Sequence, residues 1–185
     1  MTVPFQDAAE LEAGGTAAFL RVLPGRHERE RRAALFQVNA RGAPVEFTFN
    51  RIDLPSAALW RPERLEREAT KALAVSLFEA ARRTPLVLLS LAAEVDGALF
   101  AEDLEVQIPV CRVAIDDGGG RAGEVGEEVL WEDRTIHLFW RPALPSAGSP
   151  PRRLVTTLAG RGLLLEPFER ALTGLEEALD RDLPA

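Results

Sequence analysis

Between Ala33 and Arg83 the apolar residues change period from two to 3.6, and that change sets what the chain can become. Val45, Phe47 and Phe49 alternate with Glu46, Thr48 and Asn50. This pattern predicts a strand with one buried face and one wet face. Ala33–Ala40 precedes it as a second strand, with Arg41-Gly42 as the turn between them. Arg51 breaks the parity, so a bulge or the strand end is expected there. Pro62 then opens a helix that reaches about Arg82. Leu65, Ala69, Ala72, Leu73, Ser76, Leu77 and Ala80 recur in steps of three and four and form one continuous stripe.

The remaining segments arrange themselves around this hairpin and helix. Residues 1–15 form a loose lead-in, and Thr16–Leu23 reads as the first strand, closed by Pro24-Gly25. Arg26–Arg32 is a highly charged connection. Thr84-Pro85 stops the helix, and Pro85–Leu91 is a strand covered on both faces. Leu104–Val110 alternates, and Pro109 within it points to an edge strand. Gly118-Gly119-Gly120 lacks a following Lys-Ser/Thr, so it reads as a connector and not a phosphate loop. Glu128–Trp131 and Thr135–Trp140 form a second hairpin. Residues 144–151 are a Pro/Ser/Gly-rich internal linker, followed by a short helix at Arg152–Leu158. Pro167–Arg181 is a C-terminal helix whose stripe is Phe168, Ala171, Leu172, Leu175 and Leu179. The expected fold is one α/β or α+β domain over residues 1–185, a mixed sheet of five to seven strands. Its order is β-β-β-α-β and then further strands, with one long covering helix and a C-terminal helix on the other face or end.

Over residues 16–96 this order resembles the first half of ribonuclease H-like folds, including the nucleases built on that plan. The resemblance implies a catalytic acid in the first strand and others after later elements, together holding divalent metal. Here the first strand carries Arg21 at that place. Asp53, Glu94 and Asp96 follow strand-like segments and are the candidate catalytic carboxylates.

Other chemistry finds little support. His27 and His137 are the only histidines, and neither has metal-ligand spacing, so no metal and no cofactor is expected. His137, between Ile136 and Leu138, reads as a surface residue. The single Cys111 lies among apolar strand residues and reads as a buried small hydrophobe. The N-terminus shows no apolar signal core and no run is long enough to span a bilayer, so a cytoplasmic location without membrane contact is expected.

The net charge of −7 disfavours a dedicated nucleic-acid binder. The charge is uneven, however: residues 21–83 hold thirteen basic and eight acidic side chains, whereas 94–133 hold two and twelve. Acidic loops that solvate one end of the domain are the first reading of this asymmetry; the second is a basic face that docks an anionic partner, or two copies paired head to tail. Arg26, Arg29, Arg31 and Arg32 are the candidate contacts, with the Trp60-Arg61 and Trp140-Arg141 pairs, because Trp and Arg dominate interface hot spots. The expectation is therefore a non-enzymatic binding or adaptor subunit that assembles with a protein partner or itself. The alternative is a ribonuclease H-like nuclease, or a catalytically degenerate relative, acting on nucleic acid.

Overall fold

The computed structural model describes residues 15–55, 61–115, 123–131 and 134–181. Three strands come first: β1 (Thr16–Pro24), β2 (Glu30–Asn39) and β3 (Pro44–Asp53). Helix α1 (Pro62–Ala80) leads to β4 (Val87–Leu91) and β5 (Val110–Ile115). A hairpin of β6 (Val125–Trp131) and β7 (Arg134–Arg141) precedes α2 (Pro150–Gly160) and α3 (Glu166–Arg181). The strands form one seven-stranded sheet in the order β3-β2-β1-β4-β5-β7-β6. β1, β4 and β5 run parallel, and the outer pairs are antiparallel. Among the described residues, no helix is long and apolar enough to cross a membrane.

The period of two in β1 divides the core into two layers. Ala18, Leu20 and Val22 face α1 and pack with Leu73, Leu77 and Phe78. Ala17 and Phe19 face the other way, toward Leu154, Leu158 and Phe168 of α2 and α3. Phe19 and Phe168 meet edge to face with centroids 4.9 Å apart. Each fully buried large side chain contributes about 1.5–3 kcal/mol, so both helix layers are anchored chiefly by burial. α3 is also clamped to the β2–β3 turn: Arg170 donates to the Gly42 carbonyl at 2.6 Å, and its guanidinium lies 5.0 Å from the Phe36 ring centre.

Three sequence expectations change. β3 does not keep the expected faces: its Glu46, Thr48 and Asn50 are half-buried, whereas Phe49, Arg51 and Asp53 on the other side are exposed. Its Phe47 packs on α3 near Gly174, while Asn50 donates to Ser76 of α1 at 3.0 Å. The Glu46 carboxylate accepts the Arg82 and Arg83 amides at 2.8 and 3.2 Å, meeting backbone donors just past α1. Pairing also runs unbroken past Arg51 to Asp53; the register shift lies instead at Gln37/Val38. Lastly, Leu104–Pro109 is not an edge strand. A π-helical turn at Leu99–Asp103 leads into it, and β5, which starts at Val110, is interior to the sheet. Leu104, Val106 and Ile108 alternate because they pack over the α1 core without joining the strand ladder.

Candidate functional site at the carboxyl ends of the parallel strands

The chain leaves β1 toward β2 and β3, then returns through α1 to β4 on the opposite side of β1. Such a reversal opens a crevice beyond the carboxyl ends of the parallel strands, where open α/β sheets bind ligands. A cleft of about 600 Å³ lies there, lined by Arg21, Leu91, Ile115, Arg134, Glu166 and Glu169.

Arg21 is the central charge of this cleft. It projects from β1 toward α3, and its guanidinium holds Glu94 in a two-pronged pair. Nε donates to Oε2 at 2.9 Å, and Nη2 lies 2.6 Å from Oε1. Nη1 donates to the Phe168 carbonyl at 2.8 Å. The Val22 amide adds a further donor to Glu94 at 3.3 Å. The two side chains are only 10% and 14% exposed. The loop after β4 therefore turns its carboxylate inward because a fixed cation waits in β1.

A second arginine pins the same loop from the other face of the sheet. Arg112 of β5 donates through Nη1 to both Glu124 oxygens at 2.8 and 2.9 Å. Its Nε donates to the Val95 carbonyl at 3.1 Å. These side chains are 3% and 1% exposed. Gly97 passes so close that a Cβ there would stand 2.8 Å from both Arg112 Nη1 and Glu124 Oε1. Asp96 closes the loop, accepting the Ala98 amide at 2.8 Å.

The three candidate carboxylates thus do not converge. Glu94 is bound to Arg21, and Asp96 is engaged in the turn beside it. Asp53 lies at the end of β3, two strands from β1 at the sheet edge, near His27. Hydrolysis through hard dications needs several carboxylates on one rigid site. Here the first-strand position holds a guanidinium, which repels a dication and occupies the nearest carboxylate. The residues present do not fit the metal pair that the fold implies.

The candidate partner contacts are mostly used within the chain. Arg26 forms an ion pair with Asp180, and Arg31 with Glu66. Arg29 donates twice to the Leu54 carbonyl, at 3.0 and 2.7 Å, and Arg32 donates to the Pro24 carbonyl at 3.0 Å. Trp140 is wholly buried in the α2 layer, which corrects its expected place on a docking surface. Its indole N–H donates to Glu127 at 2.9 Å, and the Arg152 guanidinium lies 5.6 Å from its ring centre. Arg61 is exposed at the start of α1, and Arg141 reaches the Gly123 carbonyl at 3.5 Å. Trp60 lies outside the described residues.

His137 sits opposite the buried Ile136 and Leu138 but is half-covered, 3.5 Å from Glu128. Cys111 is fully buried, and burial pushes its thiol well above the ordinary thiol range. It is therefore inert: Ellman's reagent is expected to leave the native protein unmodified and to titrate one thiol only after denaturation. Fast reaction of the folded protein would contradict this placement.

Sequence reasoning missed Arg112, Glu124 and Glu30. An arginine within the apolar run Val110-Cys-Arg-Val-Ala-Ile115 was the available signal for the first of these, since such a residue must find a buried partner.

No protein-family model matches the sequence, and no curated protein matches it significantly. Solved structures do match its shape. Endonuclease V from Streptomyces avermitilis aligns with a TM-score of 0.57 at 13% identity, over 96% of this chain and 88% of that one. Endonuclease V from Bacillus subtilis aligns with a TM-score of 0.46 at 10% identity, over 84% and 76%. The Argonaute of Marinitoga piezophila, in complex with guide RNA and target DNA, aligns with 0.37 at 10% identity, over 82% of this chain and 26% of its own. The fold is ribonuclease H-like. The adaptor expectation is corrected accordingly: a solved structure that this chain matches over nearly its whole length is that of an endonuclease V. That likeness favours the alternative, a nuclease of this plan or a degenerate relative, over a non-enzymatic adaptor.

Proposed function

We propose that this chain is a catalytically degenerate ribonuclease H-like protein that binds nucleic acid beyond the carboxyl ends of β1, β4 and β5 and does not hydrolyse it. One observation carries the reading: Arg21 stands in β1 where the plan calls for a metal-binding acid, and it consumes Glu94. The likeness to an endonuclease over 96% of the chain supports the ligand class. The exposed Arg134 gives the cleft positive charge, Arg21 being paired with Glu94, while Glu166 and Glu169 on its helical wall offset it. Binding on that balance is modest, with a Kd of about 10⁻⁴–10⁻⁶ M that weakens steeply with salt.

Fluorescence anisotropy with labelled single-stranded and duplex DNA and RNA tests the binding. A salt-sensitive isotherm weakened by Arg134→Glu is expected, and absence of binding to every probe at low salt would overturn the reading. Incubation of the same probes with magnesium or manganese tests the degeneracy. Intact probes are expected; metal-dependent cleavage abolished by Glu94→Gln would show an active nuclease instead.

A further inference from the structure

We propose that His27, Glu30 and Asp53 form a binding site for a first-row transition dication of the zinc class, at the β3 edge of the sheet. The three residues come together through the β1–β2 turn and the β2–β3 ladder. Glu30 and Asp53 are direct cross-strand partners. His27 is three residues before Glu30, and the Glu30 amide donates to its carbonyl at 3.0 Å, which folds the turn back over the ladder. His27 Nε2 lies 3.5 Å from Glu30 Oε2 and 3.8 Å from Asp53 Oδ1, and the three ligand atoms all fall within 4.8 Å of one another. Metal–ligand bonds of the zinc class place neighbouring ligand atoms about 3.0–3.5 Å apart, so a small closure of the exposed Asp53 side chain completes the set.

Two further observations point to a cation. First, carboxylates directly opposite each other across a ladder repel, so the Glu30–Asp53 pair is unfavourable as it stands. Second, the Glu30 side chain is only 8% exposed, yet no Arg or Lys among the described residues pairs with it. Four arginines lie within four residues of Glu30, and each is spent elsewhere: Arg26 on Asp180, Arg29 on Leu54, Arg31 on Glu66 and Arg32 on Pro24. Arg51 lines the same cavity without reaching either carboxylate. A buried carboxylate left to an imidazole in so arginine-rich a segment is poised for a metal. The cavity, about 290 Å³ and open to solvent, leaves room for water ligands.

The donor set selects the ion. One imidazole nitrogen with two carboxylates suits zinc and its neighbours, whereas magnesium and calcium prefer oxygen alone. The two carboxylate charges balance a dication. Once bound, the ion ties the β1–β2 turn to the end of β3.

Isothermal titration of zinc into the full-length, metal-free protein tests the site, with magnesium as the contrast. One zinc per chain is expected, with a rise in Tm, and no magnesium binding at the same concentrations. His27→Ala removes an imidazole that is 62% exposed and Asp53→Asn neutralises a carboxylate that is 79% exposed, so both variants are expected to fold as the parent does. Each should weaken zinc at least about tenfold, because even groups that only support a ligand are worth that much. His137→Ala should bind as the parent does. No zinc binding by the parent, or binding unchanged in His27→Ala and Asp53→Asn, would overturn the proposal, as would binding lost in His137→Ala. Nucleic-acid binding is read independently of this titration, so either result stands alone.

Discussion

Arg112→Ala is expected to destabilise the protein by about 3–5 kcal/mol, read as a lower midpoint in chemical denaturation. The alanine removes the partner of a Glu124 carboxylate that is 1% exposed and strips the Val95 carbonyl of its donor. A buried charge that loses its two-bonded guanidinium partner keeps much of its desolvation penalty, and this is what makes the single change severe. Pairing Arg112→Leu with Glu124→Leu removes both charges together. The double variant is expected to lose far less than the sum of the two single changes, since a buried ion pair often does little better than apolar residues of similar volume. A near-additive cycle would show that the two side chains do not interact as the distances indicate.

Arg21→Ala is the second large effect, at about 2–4 kcal/mol, a little smaller because the pair is slightly more exposed. The loss has three parts: the two-pronged contact with Glu94, the bond to the Phe168 carbonyl, and the packing of the guanidinium between β1 and α3. Arg21→Lys separates charge from geometry. Lysine keeps the charge but cannot hold Glu94 and Phe168 together, so most of the loss is expected to remain. Full recovery in the lysine variant would mean that charge alone matters at this position. Because α3 docks partly through Phe168, amide exchange in the first turn of α3 should quicken in Arg21→Ala while α1 stays protected.

Much of the fold was legible because its main elements keep their periods. The β2–β3 hairpin, α1 and α3 follow the apolar spacing that the residues display. Alternation misled where something other than a strand produced it. Leu104, Val106 and Ile108 alternate in a segment outside the seven strands, with only an isolated bridge at Glu105. Glu46 and Asn50 looked solvated but are held by α1 and the backbone beyond it. The site was legible only in its parts. Arg21 and Glu94 each stood out, but their pairing depends on β1 and β4 lying side by side, a fact of topology and not of local spacing. The meeting of Glu30 with Asp53 likewise rests on ladder register, which a shift of one residue would abolish.

The parallel pairing of β1 with β4 has a consequence for how the chain is made. Ribosomes deliver β2 and β3 soon after β1, so one edge of β1 is satisfied early. Its other edge, from Ala17 to Leu20, is completed only when Val87–Ser90 arrives after the whole of α1. At ordinary synthesis rates that interval lasts roughly a few seconds to ten. For that time the nascent chain carries a largely apolar strand as a bare edge, the kind of surface that recruits foreign strands. Lengthening the stretch between α1 and β4 beyond the Arg82 and Arg83 contacts with Glu46 would prolong this exposure, and would lower the yield of folded protein while leaving the stability of each folded molecule nearly unchanged.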